Sequence, residues 1–157
     1  MIQRSQTIYL LLAAICGVLT FFLPLAHFMI DDAVQGVYTM FGLQAGEGGE
    51  MLSSGAYVFP AWAMGALSVL IPFIAIFLYR NRPVQGKVAR LAYLVNLGYA
   101  VYLFFAVEEL KAEFFPSAKV LFHVGFYAPV AAIAFAFLAG RGIKKDEELV
   151  KSLDRLR

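Results

Sequence analysis

The chain has 157 residues, of which 61% are hydrophobic and 15% charged, with a formal net charge of +2. Soluble domains carry roughly 25% charged residues, so this composition excludes an ordinary water-soluble globule unless a partner covers four nearly uncharged runs. The single cysteine, Cys16, lies inside the first run, which excludes an internal disulfide and a cysteine-based metal centre.

The first run, residues 8–30, holds no charge and is interrupted only by Thr20, Pro24 and His27. It is long enough for a hydrocarbon core of ~30 Å at ~1.5 Å per residue, with Pro24 kinking or ending the helix near its far end. The opening Met1, Ile2, Gln3, Arg4 looks like the start of a secretory signal. The apolar core is too long for one, however, and Pro24 occupies the candidate cleavage site, which predicts an uncleaved first helix. Residues 31–56 form a polar excursion. The stretch 36–42 is aromatic and β-branched between glycines, and 46–49 is a glycine-rich turn, so a small two-stranded extracytoplasmic hairpin is expected there.

The second run, 57–79, is uncharged and stops abruptly at Arg80. Pro72 predicts a kink in it, with Ser68 one turn earlier able to satisfy freed backbone groups. Residues 80–90 contain Arg80, Arg82, Lys87 and Arg90 with Pro83 and Gly86, a short link that makes the second and third helices an antiparallel pair. The third run, 91–107, ends at Glu108 and Glu109. Residues 108–119 contain Phe114, Phe115 and Pro116, an interfacial aromatic anchor with a helix start near Pro116 or Ser117. The fourth run, 120–140, ends at Arg141. Beyond it, Val150, Leu153 and Leu156 recur at helical spacing and Glu147 precedes Lys151 by four residues, which predicts a short amphipathic tail helix.

Charge sets the expected orientation. Of the 13 Lys and Arg, only Lys111 and Lys119 fall on one side of the four runs. The other side holds Arg4, Arg80, Arg82, Lys87, Arg90, Arg141, Lys144, Lys145 and the remaining basic residues of the tail. Basic residues stay cytoplasmic, so both termini and the middle link are expected inside. The fold class read from the sequence is an all-α membrane protein. Its four-helix transmembrane bundle covers 1–140, with spans at about 8–30, 57–79, 91–107 and 120–140, and a cytoplasmic tail helix covers 141–157.

Helices associate in lipid through small residues that let backbones approach. The fourth run carries such a stripe, Ala128, Ala132, Ala136 and Gly140; the second offers Ala61 and Gly65, and the first Ala13 and Gly17. Asn96 is a polar group inside the third run, and a hydrogen bond to a neighbouring helix is its simplest use. His27 and His123 fall at one depth near the outer interface, close to Glu108 and Glu109, and are weak candidates for a metal or proton site. No charge lies inside a run, no internal duplication is visible, and neither a phosphate loop nor a zinc or nucleophile motif occurs. No cofactor and no nucleic-acid partner are expected; the partners are the bilayer and a membrane-protein complex or a second copy of the chain.

The opening residues 1–14, MIQRSQTIYLLLAA, and the closing residues 143–157, IKKDEELVKSLDRLR, resemble a bacterial membrane family catalogued as domain of unknown function 4293. Ser5 and Leu153 depart from the pattern, where an aliphatic and a small residue are more usual. The resemblance covers the whole layout and implies an inner-membrane location, four spans and no catalytic residues. The leading expectation is a small accessory or scaffold subunit. The competing one is a small carrier or channel for a weakly polar solute, motivated by Asn96, Pro72 and the two histidines. An intramembrane enzyme is disfavoured because no catalytic set is visible.

Overall fold

In the computed structural model, which describes residues 3–46, 48–53 and 58–155, the first helix stops where proline stops it. Helix α1 (Gln3–Phe22) makes its last turn with the Leu23 amide donating to the Leu19 carbonyl at 3.1 Å. Pro24 has no amide to donate, and the residue before a proline is driven out of helical geometry. The backbone is extended from there, and the Leu25 amide donates to Tyr38 at 2.8 Å. The expected span 8–30 is therefore corrected. Its last five residues form strand β1 (Ala26–Ile30), burying Ala26 and Phe28 while His27 between them is half-buried.

Asp31 and Asp32 have φ of 51° and 60°, the primed two-residue turn whose twist matches that of the strands it joins. It leads into β2 (Ala33–Thr39), then β3 (Gly42–Ala45) and β4 (Met51–Ser53). A fifth strand, β5 (Lys119–Phe122), comes from the far side of the chain and pairs with β1, Ala26 opposite Phe122 and Phe28 opposite Val120. The sheet order is β4-β3-β2-β1-β5, antiparallel throughout. This overturns the all-α class and the two-stranded hairpin expected in 31–56. The start of the second run at Tyr57, Glu47 in the expected turn and Leu156 in the tail lie outside the described residues.

Helix α2 (Val58–Phe77) continues through a short 3₁₀ turn, Leu78–Arg80, into α3 (Arg82–Phe114). The basic link expected over 80–90 is thus mostly helix. Asn81 stands at the N-cap and Pro83 in the first turn, where a missing amide costs nothing, so the helix begins before the charges end. The last helix, α4 (Val124–Arg155), starts after β5 rather than near Pro116. It runs without a break through the region expected as a separate tail helix. All four helices are long and apolar enough to cross a membrane.

Each helix packs on two others, α1 and α3 both between α2 and α4. Their buried residues recur alternately four and three apart, the 3.5-residue period that keeps one seam facing its neighbours. On α3 the seam reads Gln85, Ala89, Ala92, Asn96, Tyr99, Leu103, Ala106, Leu110. On α2 it reads Ala61, Gly65, Ser68, Pro72, Ala75. Strands β1–β4 link α1 to α2 and β5 links α3 to α4, so the sheet sits at one end of the helices. Its inner face, with Ala26, Phe28, Tyr38 and Leu43, closes over Tyr99, Leu103, Val107 and Leu110 of α3 and Ala61 of α2. Phe115 stacks on Phe28 with ring centroids 5.4 Å apart, and only glycine fits at Gly36, where a Cβ would lie 2.5 Å from that Phe115 ring.

Candidate functional site

Polar side chains in an apolar helical interior must find partners, because a bare amide or carboxyl there is costly to bury. Asn96 and Ser68 meet across α3 and α2: the Ser68 hydroxyl donates to Asn96 Oδ1 at 2.7 Å, and Asn96 Nδ2 donates to the Ala92 carbonyl at 2.9 Å. Gln85 reaches back from α3 to cap the end of α2, its Nε2 donating to the Ala75 carbonyl at 3.0 Å. That carbonyl belongs to the last turn of the helix, where intrahelical donors run out. Gln6 on α1 donates to Asp146 Oδ2 on α4, and both residues are buried. The Ser68, Gln85 and Gln6 contacts each tie two helices together, while the Asn96–Ala92 bond is internal to α3.

The last contact was invisible to a search for motifs, yet a signal for it exists. Gln6 lies seven residues before Ala13 on the α1 seam with Leu10 and Gly17, and Asp146 continues the α4 seam of Ala132, Ala136, Ala139 and Ile143. Gly142 lets the two helices close here, since a Cβ on it would approach Gln6 Cγ to 3.1 Å. Asp146 Oδ1 has no hydrogen-bond partner among the described residues.

The two histidines meet on the sheet. His27 in β1 stands opposite Leu121 of β5, and His123, just beyond β5, donates its amide to the Leu25 carbonyl at 3.0 Å. The imidazole centroids lie 3.9 Å apart at 37°, on the face opposite Phe28. His123 Nε2 is buried with no hydrogen-bond partner among the described residues. Glu108 and Glu109 do not complete a metal site, because no three His, Cys, Asp or Glu gather among the described residues. Two imidazoles can share a proton or lend two nitrogens to an ion, but they do not by themselves build a closed coordination shell.

The small residues separate by role. Ala61, Ala128, Ala132 and Ala136 are all buried, Ala61 beneath the sheet and Ala136 against Ala92 of α3 and Ile71 of α2. Gly65 faces Met40 and Phe21, each 3.0 Å from where its Cβ would stand, so it seats the sheet end. Gly140 is different: nothing lies within 4 Å of its Cβ position.

A family model described as Domain of unknown function (DUF4293) matches residues 2–156. The chain belongs to this family. No curated protein matches it.

In this member of the DUF4293 family Arg80, Arg82, Lys87, Arg90, Arg141, Lys144 and Lys145 gather at the end away from the sheet. Arg80 closes the 3₁₀ turn, Arg82, Lys87 and Arg90 lie on the first turns of α3, and Arg141, Lys144 and Lys145 follow one another along α4. Lys144 pairs with Glu148 at 3.8 Å, an exposed contact that contributes little. Between α3 and α4 at this end runs a groove of about 640 Å³, with Gly140 on its floor and Arg90, Arg141 and Lys144 at its margin.

Proposed function

We propose that the chain is an integral inner-membrane protein that serves as a small accessory or scaffold subunit. Helices α1–α4 cross the bilayer as a four-helix bundle, both termini and the α2–α3 turn face the cytoplasm, and the sheet stands on the opposite side. The observation that carries the reading is the outward face of the helices. Ile74, Phe77, Leu94, Phe105 and Phe137 are each about half or more exposed, while Ser68, Asn96, Gln6 and Asp146 point inward. That distribution suits a lipid surround.

The subunit role rests on how the interior polar groups are used. Asn96, one of the features that motivated a carrier, is engaged with Ser68 and Ala92, and through Ser68 it holds helices together rather than standing along a path. The same reading assigns the chain no reaction. Its partners are another membrane protein or a second copy, with β4 and β5, each paired on one side only among the described residues, as edges on which an added strand could form.

Crosslinking in native membranes followed by blue native electrophoresis tests the role: a complex containing the chain is expected, and a clean monomer retaining no protein overturns it. Solute flux in liposomes that Asn96→Leu abolishes would install the carrier reading instead. A cysteine at Gly48, in the turn between β3 and β4, is expected to react with an impermeant thiol reagent from outside intact cells. Labelling only after lysis would reverse the orientation.

A further inference from the structure

The groove between α3 and α4 has the two-part chemistry of a phospholipid. Its deep part is apolar and made of small or flat groups: Gly140 and Ala136 on one helix, Ala89 on the other, and the Tyr93 and Phe137 rings 6.3 Å apart. Its margin is cationic. Arg90 is the last charge before the apolar stretch of α3 and Arg141 the first after that of α4, so the two arginines mark the level at which the apolar stretches of adjacent helices end, and both line the groove. Lys144, one turn beyond Arg141, adds a third cation, and Glu147 is the one carboxylate in the lining.

That level is where a helix leaves the hydrocarbon, and a lipid phosphate sits there with its acyl chains directed toward the bilayer centre. Basic margins between helices on the cytoplasmic side attract anionic headgroups, and arginine forks match phosphate oxygens. Gly140 gives the groove its depth, since the space where its side chain would stand is open for at least 4 Å. The adjoining seam residues Ala136, Ala139 and Ile143 are already buried against other helices, so the opening beside Gly140 is not needed for helix contact.

We propose that this groove binds an anionic phospholipid, its phosphate held among Arg90, Arg141 and Lys144 and one acyl chain lying over Gly140 against Tyr93 and Phe137. The assignment rests on the membrane reading above. A bound lipid would join α3 to α4 where small residues leave the groove between them. Occupancy would then stabilise the basic end of the molecule, and lipid charge would set how firmly the α2–α3 turn is held.

The test uses the full chain in a mild neutral detergent, with thermal unfolding followed on addition of phosphatidylglycerol, of phosphatidylcholine with the same acyl chains, or of inorganic phosphate. Phosphatidylglycerol is expected to raise the unfolding midpoint by roughly 5 °C at saturation, and the other two to leave it near its starting value. Two variants separate the parts of the site. Replacing Arg90, Arg141 and Lys144 together by Gln removes the headgroup contacts from exposed positions and is expected to abolish the shift. Gly140→Phe fills the groove while keeping every cation and is expected to abolish it too. A shift retained in either folded variant, or equal shifts with the anionic and zwitterionic lipids, overturns the assignment. If Gly140→Phe does not fold, the Gln variant alone decides. Extraction of native membranes with alkaline carbonate keeps the two readings apart: a chain released by carbonate overturns the membrane reading, whereas an embedded chain indifferent to phosphatidylglycerol overturns only the groove.

Discussion

The two halves of α3 follow one seam and are built from different materials. Toward the sheet the seam carries Tyr99, Leu103 and Leu110, large side chains fully enclosed by Phe28, Tyr38 and Leu43 from above. Toward the basic end it carries Ala89 and Ala92, which meet Ala136 and Ala139 of α4 at close range. The sheet end resembles the core of a water-soluble domain, where removing large apolar groups from water supplies the stabilisation. In lipid that gain is absent, and helices hold by close backbone approach and by hydrogen bonds such as Ser68 to Asn96. On the membrane reading proposed above, the same helix changes its means of cohesion along its length, and substitutions at its two ends should fail for different reasons.

The largest effect is expected at the enclosed end. Leu103→Ala removes a side chain with no exposed surface beneath a sheet that cannot collapse onto the space, and should cost about 3 kcal/mol in unfolding by SDS titration in detergent. A loss under 1 kcal/mol would mean that this end is held by something other than its large side chains. Gly36→Ala comes next. Its new Cβ meets the Phe115 ring, which can yield only by leaving its stack on Phe28, and about 2 kcal/mol should be lost. Gly86→Ala at the other end is the control that sharpens the contrast. There the Cβ first meets Ile143 at 3.5 Å, an ordinary contact, and the helix gains up to about 1 kcal/mol from the better residue.

Asn96→Leu should cost about 1 kcal/mol, since it leaves the Ser68 hydroxyl without its acceptor in an apolar setting. The double variant with Ser68→Ala should lose less than the two singles added together. Full additivity would show that the pair does not hold the helices.

How far the sequence foretold this arrangement differs between the two ends for the same physical reason. Long uncharged runs announce helices, and the basic clusters at Arg80 to Arg90 and Arg141 to Lys145 mark one end of them. Strand β1 is hidden because 26–30 is apolar apart from His27 and follows an apolar helix, and a buried strand and a buried helix share that appearance. The partner that makes it a strand, β5, is brought in by long-range pairing such as Ala26 with Phe122, which no local pattern carries. Residues 82–90 looked like a loop because of their charges, yet Gln85 and Ala89 already keep step with Ala92 and Asn96, so the seam was there to be counted. Asp146 was legible in the same way, as the next step after Ile143. The histidines could be set at one depth from run lengths, but their stacking depends on the register of β1 against β5.

The smallest expected effect tests whether the Tyr38 hydroxyl contributes to the cohesion of the enclosed end. Tyr38 is fully buried in β2 and its hydroxyl has no hydrogen-bond partner among the described residues. An unpaired buried hydroxyl is a liability, and replacing it by a group of the same shape removes that liability without opening a cavity. Tyr38→Phe should therefore leave stability unchanged or raise it by up to about 1 kcal/mol. Burial first, and the nearby Tyr102 second, push the Tyr38 phenol above its ordinary range. The folded chain thus holds that proton more tightly than the unfolded chain does. The resulting stability is fully present below the ordinary tyrosine value of about 10 and is lost as pH rises toward the higher folded value. Between neutral pH and pH ~9 the wild type and Tyr38→Phe should run parallel, and above pH ~10 the wild type should fall more steeply. A variant less stable than wild type at neutral pH would mean that the hydroxyl is engaged after all, adding to the Tyr99 hydroxyl's bond to Met40 Sδ as a polar contact of the sheet end.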